Sequence, residues 1–271
     1  MPSDLSHLIS STFLGIDADG LAGLRREFRS QASRIALRAT IGVVAVAGIN
    51  MIAPGEAWAG CVLATDVVCS GPTPDTITSI TGAQSVTYQN GETNSSGKGL
   101  AVIGSAATPT VSVAIDPTSS ITATDGSGAS GGAALLISNN NGAITTTTPT
   151  KSGINGNLTS TVGAGLSAQT NNIAGDITIV QGATSTITGT TTGILARVND
   201  AGSINVNVAG NVTATAGNAI DVGATNGAVV SDGAVTVTTL AGGVISANGG
   251  NGILANNSLK GTGGITITSN A

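Results

Sequence analysis

The chain has 271 residues, a formal net charge of −5, only 8% charged residues and 1% aromatic ones. Length alone allows one large domain or two small ones. The acidic balance, with no basic stripe and no aromatic platform, excludes the phosphate-neutralising and base-stacking surfaces of a nucleic-acid-binding protein. Mean hydropathy is +0.33, too apolar for a disordered chain of ordinary composition.

Residues are unevenly shared. Both Phe, the Trp, the His and both Met lie at or before Trp58, and Tyr88 is the one aromatic residue after it. Arg25, Arg26, Arg29, Arg34 and Arg38 also fall in this first part. Here "RREFRSQASRIALR" leads into the apolar "ATIGVVAVAGINMIA" and then "PGEAWAG". A basic region, a short apolar region and an A-x-A triplet, in that order, make a secretory signal. The expectation is an extended signal peptide over residues 1–59, passed to the Sec machinery and cut after Ala59, with Ala57, Ala59 and Gly60 forming the cleavage site. The apolar run is too short and too interrupted by Gly and Asn50 for a membrane span of about 20 residues. The twin arginine at 25–26 lacks the flanks of a folded-export signal and reads as ordinary charge.

Residues 60–98 are expected to form an N-terminal cap. Cys61 and Cys69, with seven residues between them, can close a short disulfide loop in an oxidising compartment. Trp58-Ala59-Gly60-Cys61 also resembles a lipobox, which makes lipidation of Cys61 the alternative. Trp58 fits poorly there, and lipidation leaves Cys69 unexplained.

From residue 99 to 271 three short seeds recur in cyclic order. The first is Gly-[Ile/Leu]-x-Ala, as Gly99-Leu100-Ala101, Gly165-Leu166-Ser167-Ala168, Gly193-Ile194-Leu195-Ala196 and Gly252-Ile253-Leu254-Ala255, with degenerate copies at Gly132 and Ala219. Its copies are spaced at 26 to 33 residues, the period of a solenoid. The second includes Gly175-Asp176-Ile177-Thr178, Gly202-Ser203-Ile204-Asn205, Gly233-Ala234-Val235-Thr236 and Gly264-Ile265-Thr266. The third includes Ser120-Ile121-Thr122, Thr186-Ile187-Thr188, Asn211-Val212-Thr213 and Val244-Ile245-Ser246. Each alternates an aliphatic with a small polar residue, the period of a strand with one buried face. Gly, Asn and Asp between the seeds supply turns. One such unit cannot bury its apolar face, whereas stacked units can. The fold class is therefore all-β: a right-handed parallel β-helix, three strands per coil and about six or seven coils, following an N-terminal helical signal segment.

Chemistry is sparse. No histidine follows Ala59, so neither a Ser-His-Asp triad nor a His-ligated metal is available there, and no cofactor or metal is expected. Paired carboxylates could still hydrolyse glycosides. Asp176, Asp200, Asp221 and Asp232 recur at related repeat positions and are the candidates for a polysaccharide-active site built from turn aspartates; acids in solvated turns are the ordinary reading. The Thr-rich "TTTTPT" and the strand threonines are too irregularly spaced in sequence to predict an ordered threonine face.

A long basic leader ending in "AWAGCV", a C-x7-C-S-G segment and Gly/Thr/Asn/Ala-rich repeats resemble the N-terminal part of a bacterial autotransporter: signal peptide plus β-helical passenger. The resemblance implies a Gram-negative cell envelope, display at the outer membrane or release, and a role in adhesion to host or neighbouring cells or in self-association. It also implies an outer-membrane β-barrel translocator, which this chain, without aromatics after Tyr88, is expected to lack as an N-terminal piece of a longer passenger. The function expected is a non-catalytic structural or adhesive β-solenoid; the alternatives are the polysaccharide-active β-helix and a passive spacer stalk for a distal domain.

Overall fold

Alternation of Ile, Val or Leu with Thr, Ser or Asn puts branched apolar side chains on one face of each strand and short polar ones on the other. Such strands gain stability only where the apolar faces close on one another. A computed structural model shows how they close. It describes residues 61–62, 66–69, 76–80, 84–89, 93–94, 97–105, 110–148, 151–171, 175–199, 201–224, 233–257 and 262–270. The expected signal segment and cleavage site (Ala57, Ala59, Gly60) lie outside them. All the strands belong to one unit, Pro54–Ala271, and there is no helix among the described residues.

The chain opens with β1 (Cys61–Val62), β2 (Asp66–Cys69) and β3 (Thr76–Ile80). Three-stranded coils follow: β4 (Gln84–Tyr88), β5 (Thr93–Asn94), β6 (Leu100–Gly104); β7 (Thr110–Ile115), β8 (Ser120–Ala123), β9 (Leu135–Asn139); β10 (Ala143–Thr145), β11 (Asn157–Ser160), β12 (Ala164–Thr170). The next are β13 (Ile177–Gln181), β14 (Thr186–Gly189), β15 (Thr192–Val198); β16 (Ile204–Val208), β17 (Asn211–Ala214), β18 (Asn218–Ala224); β19 (Val235–Thr239), β20 (Ile245–Ala247), β21 (Ile253–Asn256). A last strand, β22 (Ile265–Ser269), begins another turn.

From β3 onward strand n pairs with strand n+3, and β1, β2 and β4 pair in succession, which yields three sheets. The first has nine strands, β1-β2-β4-β7-β10-β13-β16-β19-β22; the second six, β5 to β20; the third seven, β3 to β21. Every pairing between strands is parallel except β1 with β2. This unit is a three-sided β-solenoid in which all three sheets run together for about five turns, roughly 24 Å at the inter-strand spacing. Stacking already begins at β2 and β4, upstream of the first repeat seed at residue 99.

The ladders carry the core. Val111, Ile144, Ile177, Ile204 and Val235 stack in the first sheet. Ile121, Leu158, Ile187 and Val212 stack in the second. Leu100, Leu135, Leu166, Ile194 and Ile220 stack in the third. All are essentially fully buried. Each such side chain contributes about 1.5–3 kcal/mol by leaving water. A narrow interior lined from three sides has room for aliphatic residues, and the one aromatic ring among the described residues, Tyr88, sits in its first complete coil at 0% exposure.

Coil lengths differ because loops, not strands, absorb the extra residues. The run "TTTTPT" is the clearest case. Thr145 ends β10, and Thr147 and Ser152 then bridge each other outside the ladder. The chain then re-enters the ladder at Ile154, between Ile115 and Gln181. Where the strand leaves, the buried Thr146 hydroxyl accepts from the Val180 amide at 2.7 Å and donates to its carbonyl at 3.2 Å.

Candidate contact surface on the third sheet

The outward rows of the first two sheets are uniform. Ser112, Thr145, Thr178, Asn205, Thr236 and Thr266 line up on the first. Thr122, Thr159, Thr188, Thr213 and Ser246 line up on the second. Uneven sequence intervals thus conceal an in-register threonine row, and the expectation of irregular spacing is corrected: loops take up the differences before each strand begins.

The third sheet differs in what its outward rows carry, Leu136–Ser167–Leu195–Asp221–Leu254 and Ser138–Gln169–Arg197–Gly223–Asn256. Three leucines and an ion pair stand there, whereas the first sheet's second outward row has one aliphatic residue, Val180, beside Asn207, Thr238 and Thr268. Ser167 is only 4% exposed although it points outward, because neighbouring loops rise beside it.

Those loops are fixed by small residues. In residues 124–134 the Ser130 hydroxyl donates to the Lys98 carbonyl. Ser160, at an inward position of β11, donates to the Gly132 carbonyl at 2.5 Å and accepts from the Gly163 amide at 2.7 Å. A Cβ on Gly163 would meet the Gly132 carbonyl oxygen at 2.7 Å, so the close approach of the two loops requires glycine there. Between the loops and the sheet lies an open cleft of about 410 Å³, with Leu136, Leu195 and Val162 as its apolar surface and Ser138, Ser167 and Gln169 as its polar one. That volume is in the range of small-ligand sites. No titratable side chain lines it, so its chemistry is contact and hydrogen bonding rather than proton transfer.

Beside the cleft Arg197 pairs with Asp221, Nη2 to Oδ1 at 2.7 Å, with both side chains largely covered. Asn218 Nδ2 donates to the other Asp221 oxygen at 3.3 Å. Asp221 was expected in a turn; it lies within β18, because its neighbours Ile220 and Val222 both face the core and alternation turns it outward. Asp176 lies immediately before β13, where its carboxylate accepts from the Ser203 amide of the next coil at 2.8 Å. These two aspartates belong to different sides of the solenoid. Asp200 and Asp232 lie outside the described residues. Among the described residues no group of three or more His, Cys, Asp or Glu side chains comes together as a metal site would need.

At the N-terminal end, β1 and β2 place Cys61 and Cys69 directly opposite each other. Opposed Cα atoms in an antiparallel pair are about 4.5–5.5 Å apart, within disulfide range. Cys69 is fully buried and disulfide-bonded. Sequence reasoning missed the third-sheet cleft, although Leu136 and Leu195 at expected outward positions were its visible signal. Comparison with known protein families, curated proteins and solved structures finds no match.

Proposed function

We propose that this chain is an exported, non-catalytic β-solenoid of the autotransporter-passenger kind, and that it makes contact with other surfaces through the outer face of its third sheet. The observation that carries the proposal is the parallel solenoid itself, preceded in sequence by a leader and a cleavage-type triplet. A fold whose coils are held by local ladders can form progressively from one end, which suits a chain that folds after crossing a membrane. Sec-type export, cutting after Ala59, a Cys61–Cys69 bridge, a separate outer-membrane β-barrel translocator and placement at a Gram-negative cell surface belong to this reading. The described aspartates support a non-catalytic role: Asp221 is neutralised by Arg197 and Asp176 holds a backbone amide, whereas glycoside hydrolysis needs two carboxyl groups about 5–9.5 Å apart across a substrate groove.

The test is expression of the full chain in a Gram-negative host, followed by fractionation and N-terminal sequencing. A product beginning at Gly60 outside the cytoplasm is the expected result. Cytoplasmic material with residues 1–59 attached would overturn export. For the contact surface, Leu195→Lys is expected to reduce attachment of the purified protein to cells at least tenfold with circular dichroism unchanged. Equal loss from Thr188→Lys on the second sheet would sink the assignment to the third.

A further inference from the structure

In the middle of the third-sheet cleft a serine stands between two leucines. Ser167 of β12 is flanked on its outward row by Leu136 of β9 and Leu195 of β15. The two leucines are thus two inter-strand spacings apart, roughly 9.6 Å, and make a slot with apolar walls over a recessed hydroxyl. Val162, 41% exposed, forms the apolar lip. Ser167 itself is 4% exposed. Its oxygen accepts from Gln169 Nε2 at 3.0 Å, which leaves the hydroxyl proton for another acceptor and turns Gln169 Oε1 away from Ser167. The slot therefore offers one donor and one acceptor two residues apart on the same strand.

We propose that this slot binds the acetamido group of an uncharged N-acetylhexosamine. The inference rests on the reading of the third sheet as a contact surface and names what that surface recognises. An acetamido group is planar, with a carbonyl that needs a donor, an N–H that needs an acceptor and a methyl that needs apolar contact. Ser167 supplies the donor, Gln169 Oε1 the acceptor, and Leu136 and Leu195 the two apolar faces. A sugar with a plain hydroxyl at that carbon leaves the leucines uncovered and one of the two polar groups unpaired, which is the basis of discrimination.

Charge and backbone decide among the ligands that carry such an amide. Among the described residues no ionisable side chain lines the cleft, and Arg197 and Asp221 beside it neutralise each other. An acidic acetamido sugar would bury its carboxylate unpaired. Extended peptides bind through free backbone groups, and here β9, β12 and β15 each pair on both sides. The wall amides of Ala133, Gly163 and Thr191 donate to Ser130, Ser160 and Gly163. At the mouth the Ser138 and Thr191 hydroxyls match the hydroxyls of a sugar ring.

Saturation-transfer NMR of the full chain with N-acetylglucosamine is expected to label the acetyl methyl most strongly, with glucose bound at least tenfold more weakly. Ser167→Ala and Gln169→Met, with circular dichroism unchanged, should each weaken N-acetylglucosamine binding at least fivefold, and Thr188→Lys on the second sheet should leave it unaltered. No transfer to the acetyl methyl, equal affinity for glucose, unaffected Ser167 and Gln169 variants, or tighter binding of the neutral peptide probe N-acetylalanine methylamide would each overturn the proposal. Loss of cell attachment in Leu195→Lys without N-acetylglucosamine binding overturns the ligand and leaves the contact surface standing. Binding of the sugar with attachment undiminished in Leu195→Lys does the reverse.

Discussion

At Asp125 the carboxylate accepts from the Ser127 hydroxyl at 2.7 Å and from its amide at 2.9 Å. These bonds, the hydroxyl first, hold its pKa below the ordinary carboxylate value, with a smaller contribution from the Lys98 charge. Because the folded pKa is depressed, the associated stabilisation is present above the unfolded value near 3.9 and fades as pH falls through the folded one. Carboxyl NMR titration should place Asp125 below a free Asp side chain, and Ser127→Ala, which removes the hydroxyl but keeps the amide bond, should raise it toward that value. Glycine acts differently, by what it leaves out. A Cβ on Gly202 would meet the Gly175 carbonyl oxygen at 2.2 Å, and one on Gly233 the Gly202 oxygen at 2.1 Å. The glycine that opens the second seed thus marks a corner where successive coils touch through their backbones. Gly202→Val should cost about 1–3 kcal/mol or more through overpacking, read as a lower urea midpoint.

Among the elements after residue 99, β10 and β11 are the pair that the repeat pattern did not reveal. The signal was present: Gly142-Ala143-Ile144-Thr145 repeats Gly175-Asp176-Ile177-Thr178, and Asn157-Leu158-Thr159 repeats Asn211-Val212-Thr213. The inserted residues 147–153 broke the spacing that joined the other seeds. The insertion survives because the Thr146 hydroxyl accepts from the Val180 amide, while the Ile154 amide, where the chain returns, donates to the Val180 carbonyl. Thr146→Val keeps the shape but leaves the Val180 amide without its acceptor, so it should cost about 1–3 kcal/mol, measured by chemical denaturation. The same substitution at exposed Thr192-side neighbours such as Thr191 should change stability by less than about 0.5 kcal/mol. The third-sheet cleft is also an element-scale product: Leu136 and Leu195 come from different coils, and residues 124–134 form its wall from a connection that elsewhere, as between β14 and β15, is short.

Over the whole molecule, the N-terminal end of the solenoid is closed by the antiparallel β1 and by the buried, disulfide-bonded Cys69, which heads the inward row continued by Tyr88, Ile115, Ile154 and Gln181. Cys69→Ser should lower stability by about 2–3 kcal/mol, the loop-closure value for so short a loop, and reductant should give the same loss in the unaltered chain but none in the variant. Period-two alternation and the order of the three seeds were enough to determine, from sequence alone, an all-β solenoid with Ile, Val and Leu inside, because each strand's inward face is a local property of its own residues. The threonine row, the Arg197–Asp221 pair across neighbouring strands and the cleft between two loops were decided only by tertiary structure. Each depends on which residues of different coils share a register, and that is set by loops whose lengths follow no period in the sequence.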